Sequence, residues 1–112
     1  MAFGSRREDA TWVIQTERRL DSGNAQALCD LLDAANEPPG LSVVIDMEDL
    51  VYISSAGLRA ILQAVRKAER QNSKLALCSL SEDVRGVFQT SGFDQLIDIH
   101  PSCPEAIAAV GR

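Results

Sequence analysis

Aromatic residues make up only 4% of the 112 residues, and Trp12 and Tyr52 each occur once. Two isolated rings exclude a stacking platform for nucleic-acid bases. Basic charge is also short. Lys and Arg number 11 against 16 Asp and Glu, a net charge of −5. That sign argues against nucleic acid or an anionic membrane as the main partner. No apolar run approaches the roughly 18 residues of a membrane span. The first nine residues carry Arg6, Arg7, Glu8 and Asp9 with no apolar core, so they do not read as a signal peptide. The three cysteines, Cys29, Cys78 and Cys103, lie far apart. An odd count without C-x-x-C spacing fits reduced thiols in a cytoplasm, with neither disulfides nor a zinc site.

The signatures of catalysis are missing too. No G-x-G-x-x-G follows a strand, and neither G-x-x-x-x-G-K-[ST] nor G-x-S-x-G occurs. The one histidine, His100, reads as a solvated loop residue at a strand end. The cysteines read as small buried apolar residues. Glu48-Asp49 and Glu82-Asp83 fall at turns or helix starts, where they suit the helix dipole better than acid–base chemistry. An enzyme is therefore not expected, and no cofactor or metal is implied.

What is present is a soluble globular composition, 46% hydrophobic and 24% charged, at a length that suits one domain over 1–112. Strand and helix periods alternate. Residues 10–17 are rich in β-formers, with Trp12 and Ile14 on one face. Asp21 and Ser22 offer capping oxygens before the stripe Ala25, Leu28, Leu32 and Ala35. Glu37-Pro38-Pro39-Gly40 reads as a connection, and residues 41–46 as a buried strand. Ser54 or Ser55 caps the next helix, whose stripe is Leu58, Ile61, Leu62 and Val65. Arg59, Gln63, Arg66, Lys67 and Arg70 lie opposite. Residues 74–80 form another buried strand. Ser81 caps a helix packing Val84, Val87 and Phe88, and Gly92 stops it. A strand over 95–100 and a final helix follow. That helix opens with Ser102, Pro104 and Glu105 as a capping box and turns Ile107 and Val110 inward. Residues 1–7 suit an exposed edge strand. The order implies an α/β sheet with helices packed on it.

The window from Asp46 to Leu62 (DMEDLVYISSAGLRAIL) stands out. A buried strand runs into a loop anchored by the apolar pair Tyr52-Ile53. Two serines then open an amphipathic helix, followed by Ala56-Gly57. Hydroxyls at a helix N-terminus sit where N–H groups and the dipole favour negative charge. Simple N-capping explains the same pattern.

Three separated blocks resemble the STAS domain, specifically the stand-alone anti-sigma factor antagonists (anti-anti-sigma factors) of bacterial partner switching. They are Arg19-Leu20-Asp21-Ser22 with Asn24-Ala25, then Val43 to Leu62, then Leu77 to Ser81 with Val84, Arg85, Val87, Phe88, Ser91 and Gly92. Together they span nearly the whole chain in order. The resemblance implies a STAS fold: a single mixed sheet of about five strands with about four helices packed mainly on one face. In that family an Asp-Ser-[Ser/Thr]-Gly segment opens the second helix, and the serine after the aspartate is phosphorylated. Matching Gly57-Leu58 to the family's Gly-Leu implies Ser55 as phosphoacceptor, with Ser54 at the aspartate position and Ala56 at the second hydroxyl position. Asp21 matches the family's other acidic residue near the site. Arg59, four residues beyond Ser55, stands within reach of a phosphate there.

The implied function is a phosphorylation-gated antagonist in the cytoplasm. It would bind an anti-sigma factor with serine kinase activity and free a sigma factor, and a PP2C-type phosphatase would reset it. The alternative is a STAS scaffold or ligand-sensing interaction module with no sigma factor involved.

Overall fold

The computed structural model describes residues 3–8, 10–35 and 42–111. A five-stranded sheet runs in the order β1-β2-β4-β6-β7, from β1 (Gly4–Glu8), β2 (Thr11–Gln15), β4 (Ser42–Asp46), β6 (Leu75–Cys78) and β7 (Asp98–His100). The edge strand β1 is antiparallel to β2, and the remaining pairs are parallel. β1 is exposed along its length, and Arg7 lies 5.4 Å from the centre of the Trp12 ring opposite it. The parallel strands are joined through α1 (Ala25–Ala35), α2 (Ser55–Arg70) and α3 (Glu82–Ser91), and α4 (Cys103–Val110) follows β7.

Period-two alternation divides the sheet's side chains between two cores. On one face Ile14, Val43, Ile45, Leu75 and Leu77 meet Leu28 and Leu32 of α1, Ile61 and Val65 of α2, and Val84 and Phe88 of α3. On the other, Val13, Val44, Ala76 and Cys78 meet Ala106 and Val110 of α4. Three helices cover one face and one covers the other, as the family pattern implies. The central strands β4 and β6 are buried almost throughout, which explains their unbroken apolar runs. Phe88 is fully buried, and such a side chain contributes about 1.5–3 kcal/mol.

Several details differ from the sequence reading. The buried face of α2 is Gly57, Ala60, Ile61, Val65 and Ala68, while Leu58 and Leu62 are half-buried at its margin. Small residues let this helix lie close, so its contact line is rotated from the leucine stripe. Val87 is exposed, because α3 packs through Val84 and Phe88 alone. Gln95 belongs to a single 3-10 turn, Phe93–Gln95, and β7 is correspondingly short. β6 ends at Cys78, because Ser79 turns into the left-handed region at φ 62. Gly92 closes α3 at φ 80 as expected. The predicted 37–40 connection and Leu41 lie outside the described residues.

A second, two-stranded sheet escaped the sequence reading. β3 (Arg19–Leu20) pairs in parallel with β5 (Tyr52–Ile53). Two-residue strands carry no periodicity to read. This small sheet positions the candidate site.

Candidate functional site

The path to the site begins where β4 ends. The Asp46 carboxylate accepts from the Glu48 N–H at 3.0 Å, turning the chain outward. The N–H groups of Val51 and Tyr52 donate to the Arg18 carbonyl at 2.8 and 3.2 Å. The Ser54 N–H then donates to the Leu20 carbonyl at 2.9 Å. Ser54 is thereby held extended, at φ −90 and ψ 174, with its hydroxyl accepting from the Gly57 N–H at 3.2 Å. That geometry decides between the two serines. Ser54 is the N-cap, and Ser55 is the first helical residue, exposed to solvent.

Gly57 makes this approach possible. A Cβ there would stand 2.6 Å from the Leu20 carbonyl oxygen and 2.9 Å from Ile53 Cγ1. The first turn of α2 is pressed onto β3, which brings Asp21, the residue after Leu20, into the same neighbourhood. Asp21, expected as a capping oxygen for α1, instead braces the turn before it. Its carboxylate accepts from the Gly23 N–H at 2.9 Å and from Arg19 Nε at 3.3 Å, and its own N–H donates to Asn24 Oδ1 at 2.9 Å. This braced turn stands ahead of α1, which starts only at Ala25.

The N-terminus of α2, like that of α1, lacks the charge found at α3 and α4. Its first turn holds no acidic residue, whereas α3 has Glu82 and Asp83 there and α4 has Glu105. Ala56 is half-buried beside Ser55, and Arg59 is exposed one turn further along.

Sequence reasoning missed two neighbouring features. Ile53 anchors the loop, but Tyr52 is 45% exposed, with the Arg19 guanidinium 4.6 Å from its ring centre. Val51 beside it is 54% exposed. The pairing of β5 with β3 turns alternate residues outward, so only one of the apolar pair faces the core. An open cleft of about 830 Å³ also adjoins the Asp21 turn, lined in part by Glu17, Arg18, Glu48 and Asp49. Its walls come from segments about 30 residues apart, which a local pattern does not unite.

The other chemistry-bearing residues lie elsewhere. His100 is a half-buried strand residue, not a solvated loop residue, and its carbonyl accepts from the Ser79 N–H at 3.3 Å. The three cysteines are free thiols. Cys78 is buried, and burial first, then the nearby Cys103 and Asp46, push its thiol up to about 12. Cys29 and Cys103 are only half-buried. Burial, then Asp33 and Asp30, raise the Cys29 thiol as well. No helix among the described residues is long and apolar enough to cross a membrane.

Fold and site together define a small α/β domain with a charge-poor, serine-bearing helix start beside the exposed Val51 and Tyr52. The STAS domain model matches residues 5–106, and the chain belongs to the STAS domain family. It is 38% identical over 90 residues to the candidate anti-sigma factor antagonist BtrV of Bordetella bronchiseptica, covering 80% of this chain and 78% of that protein. The structure is similar to that of a candidate anti-sigma factor antagonist from Thermotoga maritima, with a TM-score of 0.89 at 20% identity over 98% of this chain and 95% of that one. It is also similar to the Bacillus cell fate determinant SpoIIAA in its phosphorylated form, with a TM-score of 0.74 at 24% identity over 97% and 99% of the two chains. At these identities the two structures establish the fold.

Proposed function

We propose that the protein is a phosphorylation-gated anti-sigma factor antagonist. In this reading it binds an anti-sigma factor with serine kinase activity, frees a sigma factor, and carries Ser55 as its phosphoacceptor. One observation carries the assignment to Ser55. The Ser54 hydroxyl is committed to the Gly57 N–H, while the adjacent Ser55 stands exposed at a helix start without acidic residues. The likeness to BtrV, named for anti-sigma factor antagonism, and to a phosphorylated SpoIIAA supports the reading.

The unmodified protein meets its partner through Ser55, Ala56 and Arg59 on α2 together with Val51 and Tyr52. Phosphorylation adds about −1.5 to −2 charges at pH 7. The α2 N-terminus accommodates that charge, and Arg59 lies at the i+4 spacing that lets a guanidinium approach it. The partner surface does not accommodate it. An acidic group about 4 Å away is repelled by about 4 kcal/mol per unit charge at an effective dielectric near 20. Half of that weakens binding more than tenfold. Ser54 in place of the family's aspartate preserves a strong N-cap while removing a negative charge beside the acceptor. A PP2C-type phosphatase resets the protein in the cytoplasm.

The test uses wild type, Ser55→Ala and Ser55→Asp as baits in lysate of the native organism, with retained proteins identified by mass spectrometry. Wild type and Ser55→Ala are expected to retain an ATPase-type anti-sigma factor that Ser55→Asp loses. Equal retention by all three overturns Ser55 as the gate and favours a constitutive scaffold. Absence of such a kinase from every bait removes the sigma-linked reading.

A further inference from the structure

We infer that Cys78 and Cys103 form an oxidisable dithiol that closes to an intramolecular disulfide in the presence of a hydroperoxide. The pair comes from distant segments. Cys78 ends β6 in the core beneath α4, and Cys103 is the first residue of α4. Their sulfur atoms and a carboxylate oxygen of Asp46 all lie within 4.8 Å of one another. A disulfide needs sulfurs about 2.05 Å apart. Closure therefore asks the two sulfurs to approach from at most 4.8 Å to that bond length.

The two thiols differ in a way that suits successive steps. Cys103 is half-buried and lines a surface cavity with Arg6, Glu8 and Pro104. The Arg6 guanidinium donates to its sulfur at 3.7 Å. Cys103 is the thiol that peroxide reaches. Cys78 is fully buried and held protonated, so it is shielded from direct attack. In the first step the Cys103 sulfur attacks hydrogen peroxide. The O–O bond breaks, a sulfenic acid forms and water leaves. In the second, the Cys78 sulfur attacks the sulfenic sulfur. The S–S bond forms, the S–O bond breaks, and hydroxide departs with the Cys78 proton as a second water. Overall the two thiols lose two protons and two electrons, and peroxide is reduced to two waters. A cellular dithiol reverses the reaction by exchange. Cys29 is outside this cluster, lining a cavity between α1 and α2 with Asp33 and Lys67.

Intact mass and peptide mapping of the peroxide-treated wild-type chain test this without any variant. The expected result is a monomer lighter by two hydrogen atoms, a cross-linked Cys78–Cys103 peptide, and one alkylatable thiol, Cys29, after denaturation. Reduction should restore three thiols. Cys103→Ser should abolish the mass loss, and Cys29→Ser should leave it unchanged. In Cys78→Ser, which lacks the second thiol, sulfenic acid at Cys103 should accumulate and be trapped by a 1,3-dione. A Cys103 sulfinic or sulfonic acid with Cys78 still alkylatable overturns the proposal. So does a disulfide between chains. A stoichiometric zinc ion retained by wild type and lost from Cys103→Ser also overturns it, because the same three side chains would then be a metal ligand set.

Discussion

At α2 the Ser54 hydroxyl accepts from the Gly57 N–H at 3.2 Å, and at α3 the Ser81 hydroxyl accepts from the Val84 N–H at the same distance. The caps are equivalent, but what surrounds them is not. Glu82 and Asp83 answer the positive end of α3, whereas Ser55 and Ala56 leave that of α2 uncompensated. The glycines differ as well. Gly57 is pressed against the Leu20 carbonyl, and a Cβ at Gly86 would meet nothing within 4 Å. One capping device thus serves two purposes. At α3 it completes a stable helix start. At α2 it holds the helix against β3 and leaves the next hydroxyl exposed.

The contrast is sharpest at the glycines. Gly57→Ala should destabilise the fold by about 1–3 kcal/mol, because a backbone oxygen at 2.6 Å has little room to yield. Gly86→Ala should instead stabilise it by about 0.5–1 kcal/mol through helix propensity. Urea unfolding of both variants decides the point, and changes of the same sign would break the comparison. Next come the caps. Ser54→Ala and Ser81→Ala should each cost about 1 kcal/mol. A much smaller loss at Ser54 would mean that β3, not the cap, secures α2.

Ser55→Asp should raise the stability of the isolated domain by about 0.3–1 kcal/mol, since it supplies the charge that α2 lacks. The same substitution should weaken partner capture, so stability and binding move in opposite directions. A destabilised Ser55→Asp domain would show that this helix start does not accept charge. The smallest difference is one of slope against pH. The folded Cys78 thiol sits near 12 against an ordinary value of 9.0. Its contribution is therefore complete below about pH 9 and is lost as pH rises from there through 12. Thermal unfolding across that window should fall less steeply for Cys78→Ala than for wild type. The two cap variants should keep the wild-type slope, because serine does not titrate there.

Much of the architecture was legible because its signals are local. Alternation marked β2, and apolar runs marked β4 and β6. Ser81, Gly92 and the Ser102–Glu105 pair marked helix ends that depend on residues three or four apart. The Arg6-Arg7 pair marked an edge strand. Legibility failed where the partner was distant. The stripe read for α2 held at Ile61 and Val65, but the packing rotated it toward Gly57, Ala60 and Ala68 and left Leu58 and Leu62 at the margin. Tyr52 looked apolar enough to be buried, yet its pairing with Arg19 turned it outward.

The candidate site divides in the same way. The chain by itself determined that two hydroxyls, a small residue and a glycine open an amphipathic helix, because those preferences act within one turn. It left open which serine caps and which is exposed, since both meet the same local rule. Only the tertiary structure decided that. The β3–β5 pairing, made across some 30 residues, offers the Leu20 carbonyl to the Ser54 N–H and so holds Ser54 extended as the cap. The meeting of Cys78 and Cys103 has the same origin. Neither residue's neighbours in the chain foretell it, and the packing of α4 against β6 brings it about.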